Sequence, residues 1–161
     1  MTLEAKQRET ALVLLEETFE SRDKGGNYYL DERTGWFPTL DGVSAADASL
    51  ALVPGGTTIA GHTFHTAFYL RVVTRDLRGE PGGRVDWAQS WTVKAVDDAG
   101  WEDVRRGLRD AHAETVALLA RAQAWGEEEH EVALAALSHS AYHLGAVRQF
   151  MTMVAARRAA T

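Results

Sequence analysis

A stripe of apolar residues with alternating three- and four-residue spacing, between about residues 99 and 124, constrains the fold of this chain most strongly. Its members are Trp101, Val104, Leu108, Ala111, Thr115, Leu118 and Ala122. Because an α-helix has about 3.6 residues per turn, this spacing places them all on one face. The segment is therefore predicted to be a long amphipathic helix, with Asp97 or Asp98 as its N-cap.

Three further segments carry helical periodicity. The first spans about residues 3–23 and is followed by Gly25–Gly26, a glycine signal for a helix end. The second spans about residues 57–77, and Thr57 or Thr58 can cap it. The last spans about residues 127–158 and begins with three glutamates, which suit the positive end of a helix dipole.

Two long connections join these segments, and both carry tryptophan: Trp36 in the first, Trp87 and Trp91 in the second. A short helix over residues 44–52, capped by Ser44, is expected within the first connection. No strong alternating strand pattern occurs. We therefore predict one all-α domain over residues 1–161, an antiparallel four-helix bundle with long inter-helix loops and a short extra helix.

Composition excludes several classes of function. The 161-residue chain has no cysteine, which rules out disulfides, cysteine nucleophiles and cysteine-ligated metal sites. Its formal charge is −6, and its one basic cluster, Arg157–Arg158, is interpreted as positive charge at a helix C-terminus, so we expect no nucleic-acid partner. No apolar run reaches the roughly 20 residues of a membrane span, and the first residues lack a signal-peptide pattern. We expect no membrane partner and a cytoplasmic location.

Two histidines, His139 and His143, lie four residues apart within the apolar stripe of the last helix. The other members of that stripe are Val132, Ala136, Val147, Phe150 and Val154. Residues at this spacing are neighbours on a helix, with Cβ atoms about 5–6 Å apart. Three interpretations are open: ordinary core residues, unrelated surface residues, or half of a metal site. A metal would satisfy the ring nitrogens that alanine and valine cannot.

The second helix supplies His62 and His65. His65 falls in a stripe with Gly61, Phe68 and Val72. We therefore predict a metal site on His65, His139 and His143, in the way that helix bundles build such sites from facing helices. Three histidines with no fourth protein ligand are typical of an open, catalytic site.

The remaining histidines have weaker patterns. His62 is interpreted as a polar residue behind the site, and it is also the nearest candidate for an acid or base. His112 is expected at a helix boundary, hydrogen-bonded to a neighbour, and His130 is expected to be exposed. The tryptophans are expected mainly to pack in the core and the connections.

The segments "TTIAGHTFHTAFYLR" and "LSHSAYHLGAVRQF" resemble the DinB-like family of four-helix proteins. His65 matches the family's first ligand position, and His139 and His143 match its paired ligands. Gly145 matches the family's glycine, whereas Ala146 stands where glutamine is usual.

The resemblance implies a divalent metal, commonly zinc or nickel, and a homodimer formed through helix faces. It also implies an activity on small molecules, because members include transferases and isomerases that use bacillithiol or mycothiol. Other members are described only as metal-dependent hydrolases.

The resulting hypothesis is an enzyme whose metal activates a thiol cofactor or water. Two alternatives stay open. One is a protein that holds metal without turnover, as a sensor or scaffold. The other is a stress-related interaction protein without metal, whose histidines form a core network.

Overall fold

A computed structural model describes residues 1–20, 27–80 and 82–159, and this part of the chain is helical, with no strand. The helices are α1 (Leu3–Glu20), α2 (Trp36–Leu40), α3 (Ala45–Ala48), α4 (Ile59–Leu77), α5 (Asp98–Arg121) and α6 (Glu127–Ala159). A 3-10 helix, Trp87–Trp91, lies between α4 and α5. The all-α prediction is confirmed. The expected end of the first helix, with Gly25–Gly26, lies outside the described residues.

Three of the predicted N-caps are present. The Thr58 hydroxyl accepts the backbone N–H of the residue three positions later at 3.0 Å, and the Asp97 carboxylate does the same at 2.8 Å. Ser44 caps α3 in this way at 3.1 Å. Each cap satisfies a backbone donor that has no partner within the helix. However, α3 ends at Ala48, earlier than the predicted residue 52.

The arrangement of α4 and α6 is antiparallel. Each of α1 and α4 packs against both α5 and α6. Between α4 and α6, His62 contacts His143 and His65 contacts His139, so residue numbers rise along one helix as they fall along the other. This direction brings the histidines of α4 and those of α6 to the same level of the bundle.

Contacts between α4 and α5 show the opposite arrangement, because residue numbers rise together along the two helices. Arg71 donates to the Gly107 carbonyl at 3.0 Å, and Arg78 pairs with Glu114 farther along both helices. The two helices therefore run in the same direction, and the predicted antiparallel arrangement is not confirmed for the bundle as a whole. The long connection over residues 78–97 allows this, since it returns the chain to the starting end before α5 begins.

The predicted core stripes are largely buried. In α5, Trp101, Leu108 and Thr115 are buried, and the buried face continues to Leu119. In α4, Phe68 of the predicted stripe is only half-buried, whereas Leu70, which is not in that stripe, is fully buried. This end of the predicted α4 stripe therefore lies at the edge of the core. None of the helices in the described part of the chain combines the length and apolar composition that a membrane span requires.

The helix α2 and the 3-10 helix were not expected from the sequence. Proline in α2 occupies the first turn, where its missing N–H breaks no helical hydrogen bond. Trp36 at the start of α2 is fully buried, and its indole Nε1 donates to the Ser140 carbonyl of α6 at 3.0 Å. The first long connection is therefore attached to α6 between His139 and His143.

A buried carboxylate fixes residues 28–30 of the same connection. Glu17 of α1 has no exposed surface, and its oxygens accept the backbone N–H groups of Tyr28, Tyr29 and Leu30 at 2.7–2.8 Å. These bonds satisfy a carboxylate that would otherwise be costly to bury.

Candidate metal site

Three histidines form a group that could hold a metal ion. His65 of α4 and His139 and His143 of α6 each offer one ring nitrogen, and these atoms all lie within 4.8 Å of one another. The centroid distances between the rings are 4.5–4.9 Å. His65 and His143 are buried, and His139 is half-buried. The structure therefore brings together the three residues that the sequence singled out.

The hydrogen bonds of His65 indicate which of its nitrogens faces the group. Its Nδ1 lies 2.8 Å from the hydroxyl oxygen of buried Ser90. The same hydroxyl donates its hydrogen to the Trp87 carbonyl at 2.7 Å. Ser90 can then only accept from His65, so Nδ1 carries the hydrogen and Nε2 presents a lone pair.

His143 has a fourth histidine as its neighbour. Its Nδ1 lies 2.9 Å from Nδ1 of His62, and Nε2 of His62 lies 3.0 Å from the Thr57 hydroxyl. The nitrogen atoms of His62 are thus occupied by His143 and Thr57. His62 lies behind His143 and is not a member of the three-histidine group.

His139 provides the clearest observation that a cation fits. Its Nε2 is buried and has no hydrogen-bond partner. The ring stacks on Tyr69 at 3.7 Å, with 11° between the ring planes. A buried polar atom without a partner is destabilising. A metal ion bound at this nitrogen would remove that cost.

All four clustered histidines are held neutral. Burial, followed by the neighbouring His139, His62 and His65, lowers the pKa of His143 to about 3. Burial and then His65 lower the pKa of His62 and that of His139 to about 4. Burial also lowers the pKa of His65. At neutral pH, the rings therefore offer lone pairs without first losing a proton.

Aromatic side chains surround the group. The indole of Trp91 stacks on His65 with 4.1 Å between ring centroids, and Phe150 approaches His62 edge-on at 5.4 Å. Tyr142, which is 73% exposed, lies 5.0 Å from His143. Trp91 and Tyr69 thus cover two of the three rings, so Trp91 of the second connection belongs to the site.

The remaining histidines lie elsewhere. The sequence position of His112 suggested a boundary histidine, but the side chain is buried. It is only 6% exposed, stacks on Phe19 at 4.2 Å, and its Nε2 is buried without a partner. His130 is half-buried, where an exposed side chain was expected, and its Nδ1 lies 2.7 Å from the Gly126 carbonyl.

Sequence reasoning missed Ser90 and Tyr69. Tyr69 could have been found, since it lies one helical turn after His65. Ser90 carries no such signal, because its connection has no periodicity. Gly145, which matched the family motif, has open space where a Cβ would lie, so packing does not explain it.

No family model, curated protein or solved structure matches this chain. The function of this chain is therefore inferred from the geometry of the three histidines and from the residues around them.

Proposed function

We propose that this chain is a metal-dependent enzyme in which His65, His139 and His143 hold one divalent ion. The observation that carries the proposal is the convergence of three ring nitrogens within 4.8 Å of one another. Two further features support it: the buried, unpartnered Nε2 of His139 and the Nε2 lone pair of His65.

The ligand set suits activation of a bound molecule. All three ligands are neutral imidazoles, and the group contains no carboxylate, so the ligands would leave the positive charge of the ion undiminished. A divalent ion in such a site lowers the pKa of a bound water or thiol, which supplies a nucleophile near neutral pH. Three protein ligands leave coordination positions open for that molecule.

The other residues of the site have supporting roles in this proposal. His62 accepts from or donates to His143 and is anchored by Thr57, so it orients a ligand. This contact favours an orienting role for His62 over an acid or base that touches substrate. Trp91 and Tyr69 limit access of bulk water to His65 and His139.

The metal and the reaction are proposed from the resemblance of the two histidine segments to the DinB-like family. On that basis we propose zinc or nickel as the metal, and bacillithiol or mycothiol transfer, or hydrolysis, as the reaction with a small-molecule substrate. A soft thiolate is compatible with zinc. A homodimer is part of this proposal, and sedimentation velocity of the purified chain tests it.

Thiol binding tests the proposed reaction class. We expect the cobalt-substituted protein to change its visible absorption when bacillithiol or mycothiol is added, because a thiolate entering the coordination sphere alters the ligand field. His143→Ala is the control and should give no such change. If bacillithiol, mycothiol and glutathione all leave the spectrum unchanged and release no heat in calorimetry with the metal-loaded protein, the thiol-transferase proposal is wrong.

One observation favours a second candidate, a protein that holds metal without turnover. His65 and His143 are only 7% and 5% exposed, and Trp91 lies over the first of them. A covered site of this kind suits a sensor or a metal-stabilised scaffold. Azide added to the cobalt-substituted protein distinguishes the two: a spectral change supports an open enzyme site, and no change supports the covered scaffold.

A further inference from the structure

Ser90 connects the second long connection to the candidate metal site. It lies in the 3-10 helix Trp87–Trp91, has no exposed surface, and its hydroxyl oxygen is 2.8 Å from Nδ1 of His65. The next residue, Trp91, stacks on the same imidazole. The 3-10 helix therefore contacts His65 through both a hydrogen bond and a ring face.

The direction of the hydrogen bond is determined by the second partner of Ser90. A serine hydroxyl has one hydrogen, and here it is donated to the Trp87 carbonyl at 2.7 Å. The oxygen retains lone pairs that can only accept. A neutral His65 satisfies this acceptor when its hydrogen is on Nδ1, which leaves Nε2 as the coordinating atom.

We infer that Ser90 is a positioning residue that fixes His65 in the Nδ1–H tautomer, so that Nε2 is presented to His139 and His143. The inference rests on the proposed metal site, and it assigns a role to a residue outside the three ligands. In metal sites, a hydrogen bond to the second ring nitrogen orients the ligand and fixes its tautomer.

The consequence of losing Ser90 follows from the two tautomers of a neutral imidazole. Without the acceptor, Nδ1–H would be buried without a partner, so the ring is expected to place its hydrogen on Nε2. This change removes the Nε2 lone pair from the three-histidine group. Losing such an outer contact typically weakens metal binding about 10–100-fold.

The chain offers matched variants. Ser90→Ala removes the acceptor, and Ser90→Thr keeps a hydroxyl at the same position. Thr92→Ala is the control, since Thr92 is exposed just after the 3-10 helix and its hydroxyl donates to Gln89. Thr92 thus resembles Ser90 in chemistry, but its hydroxyl bonds to the Gln89 carbonyl, whereas that of Ser90 bonds to His65.

The first measurement is made on the metal-free protein at neutral pH. Long-range ¹H–¹⁵N correlation spectra distinguish an Nδ1–H from an Nε2–H histidine. We expect wild-type protein and Thr92→Ala to have His65 with hydrogen on Nδ1, and Ser90→Ala to gain the Nε2–H form. A wild-type His65 with hydrogen on Nε2, or an unchanged tautomer in Ser90→Ala, overturns the inference.

The second measurement is zinc affinity by competition with a chelator. We expect Ser90→Ala to bind zinc about 10–100-fold more weakly, with Ser90→Thr largely restored and Thr92→Ala unchanged. Equal affinity of Ser90→Ala and wild type contradicts the role of Ser90. If wild-type protein itself does not bind zinc, the proposed metal site fails, whereas the tautomer spectra still decide whether Ser90 fixes His65.

Discussion

At the scale of the residue, the three histidines of the candidate metal site differ in the hydrogen-bond partners of their ring nitrogens. His65 and His143 have a partner for one ring nitrogen, and Nε2 of His139 has none. The sequence could predict which histidines converge, because the spacing places them on facing stripes. It could not predict the partners of their second nitrogens, which come from the α4 N-terminus and from an aperiodic connection.

His112 gives a prediction of how stability depends on pH that is independent of the three-histidine group. Burial lowers its pKa to about 4 in the folded protein, against about 6.5 in an unfolded chain. As pH falls from 6.5 toward 4, the unfolded chain takes up a proton that the folded protein does not, so stability is lost. His112→Leu removes this loss and also removes a buried nitrogen that has no partner.

The measurement is the free energy of unfolding in urea at pH 7.5 and pH 5, for metal-free wild type and His112→Leu. We expect the variant to gain about 2 kcal/mol relative to wild type on going to pH 5, since one pKa unit corresponds to about 1.4 kcal/mol. A stability difference that is the same at both pH values contradicts a buried, neutral His112.

At the scale of the element, the long helices, the short helix α3 and their N-caps were predictable, whereas α2 and the 3-10 helix were not. The caps were found because threonine, serine and aspartate accept backbone N–H groups at helix starts. The helix α2 was missed because five residues that include a proline have no measurable period. Its position depends on tertiary contacts, chiefly the Trp36 bond to Ser140.

The Thr58 cap gives a stability prediction for α4, the helix that carries His62 and His65. Thr58 is 2% exposed, and its hydroxyl accepts the N–H of Gly61 at 3.0 Å. We expect Thr58→Ala to lower the free energy of unfolding by about 1 kcal/mol. Thr58→Ser keeps the acceptor and should lose much less.

Equilibrium urea unfolding of the two variants decides this point, since a lost cap lowers the midpoint without changing the slope. Equal losses in Thr58→Ala and Thr58→Ser would mean that the threonine methyl group, and not the hydroxyl, stabilises the start of α4.

At the scale of the whole molecule, the all-α class followed from periodicity, but the direction of each helix did not. Periodicity identifies a buried face without specifying which neighbour covers it. The same-direction packing of α4 and α5 depends on a long connection whose path has no local signal. The three-histidine group was nevertheless predictable, because it needs only α4 and α6, which are antiparallel in the structure.

The central claim is that His65, His139 and His143 together hold one metal ion. Its most direct test is the metal content of protein purified without a nickel column, loaded with zinc and freed of excess. We predict about one zinc per chain for wild type and for His130→Ala, and loss of zinc in His65→Ala, His139→Ala and His143→Ala. A wild-type content far below one equivalent, or full zinc content in folded triad variants, would contradict the account.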